Sequence, residues 1–166
     1  MLCLYNIYIA MGVLQHIQHQ ISALNDLIKI NNDRIAGYQK ASDDSTDNDL
    51  VLLFNEYVDQ SKSNVTELKE YILFLGGQPT DGTTLSGKFY HTWINLKAVL
   101  INKDRQGILA DCEYGEDVII KAYRKAQDDK ELIWEDDKVV NLLAWQLEGF
   151  KTSHRTIKAL REAVNI

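Results

Sequence analysis

Few residues of this chain combine a reactive type with a useful spacing. Glu113 and Glu116 stand one helical turn apart, directly after Cys112, and His154 follows Ser153 late in the chain. His16 and His19 are three apart near the start. A three-residue interval on a helix puts two side chains on one face, where they can share a metal ion or a proton. A dinuclear metal centre in a helical bundle asks for more: a Glu from each of two helices and a Glu-x-x-His from each of the other two. No Glu here is followed by a His three residues later, and Lys151 holds that place before His154. A lysine there repels a cation. Glu113, Glu116 and His154 thus form at best a degenerate metal set, and no resident cofactor is expected. A contact between Glu116 and His154 would read as an acid/base pair or, more plainly, as a structural hydrogen bond. His16 and His19 have no acid or cysteine close by in sequence and read as a solvated pair. His91 shows no partner.

Phosphate loops, nucleophile elbows and zinc patterns are absent. Asn64-Val65-Thr66 matches a glycosylation acceptor, but it falls in the middle of a helical stripe and is discounted. Trp93, Trp134 and Trp145 read as packing anchors. Two cysteines, Cys3 and Cys112, do not make a disulfide framework and suit a reducing compartment, so a cytoplasmic location is expected. Cys112 reads as a small buried residue. The net charge of -6 argues against a dedicated nucleic-acid partner, which needs a basic face.

These residues must be positioned by helices. With 166 residues, one proline and nine glycines, the chain suits a single helical domain and not a turn-rich β fold. Leu14, Ile17, Ile21, Leu24, Ile28, Asn31, Ile35 and Tyr38 follow alternating three-four spacing, which makes one stripe. The polar run from Ser42 to Asn48 ends that helix, and Thr46 with Asp49 suggests a capping box for the next. The second stripe is Leu50, Phe54, Tyr57, Ser61, Asn64, Leu68, Tyr71 and Leu75, stopped by Gly76-Gly77 and Pro79. A short helix is expected from about Lys88 to Leu100, carrying Phe89, Trp93 and Leu96. A third long helix is expected from about Arg105 to Ala126 (Leu109, Cys112, Glu116, Ile119, Tyr123). A fourth runs from about Asp136 to Ala163 (Val139, Leu143, Gln146, Phe150, Ser153, Ile157, Leu160).

Short loops join helices one and two, and three and four. A long connection joins two and three. The expected fold is all-α: a ferritin-like antiparallel four-helix bundle whose crossover carries the short helix. Residues 14–166 form that domain. Residues 1–13 are an apolar extension, and the helical period starts only after Met11, which could itself be the natural first residue. The first 25 residues carry no Asp, Glu, Lys or Arg, yet they lack a signal peptide's basic start. Gln15, His16, Gln18, His19 and Gln20 also interrupt the roughly 20 apolar residues that a membrane span requires.

The stripes turn polar near their middles, at Asn31, Ser61, Asn64, Glu116, Gln146 and Ser153. A buried polar group without a partner costs on the order of 1–3 kcal/mol. These six should therefore bond one another, bind water or hold a ligand. The plainest reading is a polar layer that fixes helix register.

The segments Leu24-Asn25-Asp26-Leu27-Ile28, Asn31-Asn32-Asp33, Gly37-Tyr38 and Leu75-Gly76-Gly77-Gln78-Pro79 resemble a bacterial domain-of-unknown-function family placed in the ferritin-like superfamily. So do Trp93 with Leu96-Lys97, Cys112-Glu113-Tyr114-Gly115-Glu116-Asp117, Ala122-Tyr123, and Ser153-His154 with Ile157 and Leu160-Arg161. The likeness spans about Leu24 to Arg161. It implies a ferritin-like fold and no established activity. Members often carry a Glu just before the Gly-Tyr of the first helix, where this chain has Ala36, so one further carboxylate is missing. The leading expectation is a non-enzymatic bundle acting by self-association or through a protein partner, with a stress-related role suggested by ferritin-like relatives. The alternative is a degenerate metal-binding or oxidoreductase bundle, and a third reading is a small-ligand carrier using the polar seam. The motive for association is the uncharged N-terminal segment, which a monomer would struggle to cover.

Overall fold

The computed structural model describes residues 2–84 and 104–164. The short helix expected between Lys88 and Leu100, with Trp93 and His91, lies outside them. The described residues form four α-helices and no strand: α1 (Leu2–Asp44), α2 (Asn48–Phe74), α3 (Arg105–Asp128) and α4 (Asp137–Ala163).

Each boundary has a local cause. Asp104 begins α3 by accepting from Gly107 N at 2.9 Å, and Asp136 begins α4 by accepting from Lys138 N at 2.8 Å. The α2 start differs from the expected capping box. Asp47 is the cap residue and its side chain makes no cap bond, while Arg105 reaches over to both Asp47 and Asp49. At the other end of α2, Gly76 adopts φ 76°. Gly77 N then donates to Ile72 O and Gly76 N to Leu73 O, the paired bonds of a Schellman ending. The first helix ends at Asp44, inside the polar run from Ser42 to Asn48, and Lys40 pairs with Asp44 in its last turn.

The predicted stripes become the core. Two apolar clusters fill the bundle, one around Leu24, Ile28, Leu68, Ile119, Leu143 and Phe150, the other around Tyr38, Leu50, Phe54, Leu109 and Ile157. In each helix the polar seam positions fall between the residues of these clusters. One stripe position and one expected packing anchor fail. Leu14 is 61% exposed, so burial in α1 starts near Gln20 and Ile21. Trp145 is 76% exposed and anchors nothing, because it sits one position, or 100°, away from the seam residue Gln146. Trp134 does anchor: it is half-buried and donates from Nε1 to Ala126 O at 2.9 Å.

α1 is unbroken between residues 13 and 14. Its 43 residues make a rod of about 65 Å, against about 40 Å for α2. Around Gln20 the rod still meets the bundle: Gln20 Nε2 donates to Ile133 O at 2.7 Å, and His16 Nε2 lies 2.8 Å from the same carbonyl. Further out, Tyr8, Met11 and Val13 are more than half exposed. No helix among the described residues is long and apolar enough to cross a membrane.

Candidate functional site

All six predicted seam residues are buried: Ser61 and Glu116 fall in one hydrogen-bond network, Asn31, Asn64 and Gln146 in a second, and Ser153 bonds Gln60 apart from both. The first centres on Glu116. Its Oε1 accepts from Arg34 Nε at 3.0 Å, Arg34 Nη2 at 2.6 Å and Tyr38 Oη at 2.5 Å. Arg34 Nη1 turns to α2 and donates to Tyr57 O at 2.9 Å and Ser61 Oγ at 2.7 Å. Arg34 and Glu116 are each 1% exposed. The guanidinium carbon lies 4.9 Å from the Phe150 ring centre, 5.0 Å from Tyr38 and 5.3 Å from Tyr57, so three aromatic rings surround the cation. One arginine thereby ties α1 to α2, α3 and α4.

The second network is a relay of single hydrogen bonds. Asn31 Nδ2 donates to Tyr123 Oη at 2.8 Å and to Leu27 O at 2.9 Å. Tyr123 Oη donates to Gln146 Oε1 at 2.7 Å, and Gln146 Nε2 donates to Glu67 Oε2 at 2.8 Å. Asn64 contributes its backbone carbonyl to Gln146, at 3.4 Å. Ser153 Oγ donates to Gln60 Oε1 at 3.3 Å. Three buried atoms of the layer have no hydrogen-bond partner: Asn31 Oδ1, Asn64 Nδ2 and Glu116 Oε2.

The electrostatics favour holding charge over moving protons. Burial, the largest single influence, pulls the Arg34 pKa down, but the Glu116 charge and hydrogen bonds together with Tyr38 and Tyr57 outweigh it, and the guanidinium ends above its ordinary value. Burial first, and then the Glu116 charge, push the Tyr38 phenol well above its usual range. Burial does the same to Tyr123. A guanidinium that keeps its proton and phenols that keep theirs make a clamp, poorly suited to general acid/base work near neutrality.

The expected Glu116–His154 contact is not made. His154 Nε2 lies 3.1 Å from Asp117 and 4.0 Å from Glu113, and Arg161 also reaches Glu113. Glu113 and Asp117 are four apart and share the α3 edge that faces His154, whereas Glu116 is turned inward to Arg34. The candidate metal residues are thus split between two environments. Among the described residues no group of three His, Cys, Asp or Glu side chains could hold a metal ion. His16 is engaged with the Ile133 carbonyl, in place of the solvated pair expected with His19.

The sequence reading missed Arg34, and it placed Tyr38 and Tyr123 in stripes without seeing their hydroxyls as part of the polar layer. A signal was present. Arg34 stands three residues after Asn31 and four before Tyr38, so it shares their face, and a lone seam carboxylate such as Glu116 demands a buried cation.

No curated protein matches the chain. A family model described as a domain of unknown function, DUF2383, matches residues 19–129 and so takes in Asn31, Arg34, Tyr38, Ser61, Asn64, Glu116 and Tyr123. With two thirds of its length matched and the centre of its polar layer inside that match, the chain belongs to the DUF2383 family.

Proposed function

We propose that this chain is a non-enzymatic, ferritin-like antiparallel bundle, bacterial and cytoplasmic, that acts by self-association through the outer part of α1. The order of contacts supports the arrangement. Arg34 meets Glu116 and Tyr57, while Asn31, earlier in α1, meets Tyr123, later in α3. Gln60 meets Ser153, and Glu67, later in α2, meets Gln146, earlier in α4. Numbering rises along one helix as it falls along its neighbour in each case. The observation that carries the association is the exposed apolar surface of α1. Tyr8, Met11, Val13 and Leu14 are each more than half exposed on a rod reaching roughly 20 Å past the bundle end. Among the described residues the other three helices leave it exposed, and a second chain is the cover we propose.

Size-exclusion chromatography with light scattering tests this. A dimer or larger species is expected, with dissociation in Leu14→Glu. A monomer at high concentration overturns the proposal. The alternative, a degenerate metal or oxidoreductase bundle, draws on one observation: Glu116 Oε2 is buried without a partner. Arg34 holds the other oxygen of the same carboxylate, Oε1, and its positive charge opposes a metal cation there. Iron, manganese and zinc well below one equivalent in untagged protein would end that alternative.

A further inference from the structure

The looser side of the bundle lies between α2 and α4, and it holds a cleft of about 400 Å³. Two facing stripes line it. Glu56, Gln60 and Asn64 come from α2, and Trp145, Gly149 and Ser153 from α4. We infer that this cleft binds a neutral polyhydroxylated small molecule of the sugar or cyclitol class, independently of the association through α1.

Four features converge on that chemistry. First, Asn64 lines the cleft, is 7% exposed, and its Nδ2 is buried without an acceptor. A rotation of the Asn64 side chain would turn that donor to the cleft floor, where a ligand oxygen would accept from it. Second, among the described residues the lining contains carboxylates, amides and hydroxyls but no basic side chain, which disfavours anions. A simple cation only donates, and would leave Asn64 Nδ2 as it is. A hydroxyl both accepts and donates, so it suits Asn64 Nδ2 together with Gln60 Oε1 and Glu56. Third, Trp145 stands at this cleft with three quarters of its surface exposed, offering a flat apolar face for the C–H side of a sugar ring. Fourth, Gln60 reaches from α2 to the α4 wall, where its Oε1 accepts from Ser153 and its Nε2 lies so close to Gly149 that an added Cβ would meet it at 2.9 Å, so the cleft offers a polar amide beside the aromatic face. The volume lies in the range of small-molecule pockets, roughly 300–1,000 Å³.

Saturation-transfer NMR on the full chain tests this, with trehalose, putrescine and inorganic phosphate as separate probes. Transfer to trehalose is expected, falling about fivefold in Trp145→Ala, the factor that ~1 kcal/mol of lost aromatic contact gives. Gly149→Leu should reduce it similarly, because the new side chain would displace Gln60 and fill the cleft. Trp145 is exposed, so its truncation leaves the core intact, and far-UV circular dichroism verifies the fold of both variants. Absence of transfer to trehalose, undiminished transfer in either folded variant, or transfer to putrescine or phosphate alone overturns the inference.

Discussion

Arg34 and Glu116 meet at 2.6 Å in the middle of the bundle, each almost fully removed from water. Two nitrogens of the guanidinium converge on one carboxylate oxygen, and the other oxygen is left unpartnered. Removing either member alone strands a buried charge. Glu116→Leu or Arg34→Met should therefore lower the unfolding free energy by about 3–5 kcal/mol. The double variant Arg34→Met/Glu116→Leu should recover most of that loss, because a matched apolar pair leaves no charge to desolvate. Urea denaturation of the three variants measures the coupling. Simple additivity would show that the pair does not act as a unit.

The buried phenols make the bundle sensitive to alkali. Tyr38 and Tyr123 hold their protons more tightly when folded than when unfolded, because burial disfavours the phenolate. A raised folded pKa gives stability that is complete below about pH 10 and is lost as pH rises beyond it. Absorbance at 295 nm and helical circular dichroism, followed together from pH 9 upward, should show these two tyrosines ionising only as the helices unfold. Phenolate formation by either residue in a fully helical protein, assigned through Tyr38→Phe and Tyr123→Phe, would contradict this.

Tyr123 is the middle member of the relay from Asn31 to Gln146. Tyr123→Phe keeps the ring against Phe150, whose centre is 5.0 Å away, but deprives Asn31 Nδ2 and Gln146 Oε1 of a partner. A loss of about 1–3 kcal/mol is expected in chemical denaturation. Asn31→Ala made in the Tyr123→Phe background should cost less than it does alone. Equal costs would place the two side chains in separate networks.

At the end of α2, Gly76 has a backbone conformation that L side chains rarely adopt. Gly76→Ala should destabilise by about 1–2 kcal/mol through backbone strain alone, since no atom lies within 4 Å of the added Cβ. Gly77→Ala acts differently. Its Cβ would fall 2.6 Å from Ile21 Cδ1, 2.9 Å from Cγ1 and 3.0 Å from Cγ2, so Ile21→Ala in the same protein should relieve the clash and cost less there than it does alone. Thermal melts of the single and double variants distinguish the two causes.

The four long helices and the inward position of Asn31, Ser61, Asn64, Glu116, Gln146 and Ser153 were legible from spacing alone. A period of 3.6 residues assigns each side chain a direction before any neighbour is known, and burial of the apolar face then follows. The Schellman ending at Gly76 was legible for the same reason, because its cause is local. Partners across helices were not. His154 and Glu116 were candidates for one another by their helix positions, yet a rotation of 100° between Glu116 and Asp117 sends His154 to the surface carboxylates and leaves Glu116 to Arg34. The α2/α4 cleft is likewise set by how far two helices stand apart, which neither helix encodes by itself. Sequence determined which face of each helix turns inward, since that depends on the order of residues along one helix. The tertiary structure alone decided which inward groups meet, because that depends on the axial offset and rotation of several helices packed together.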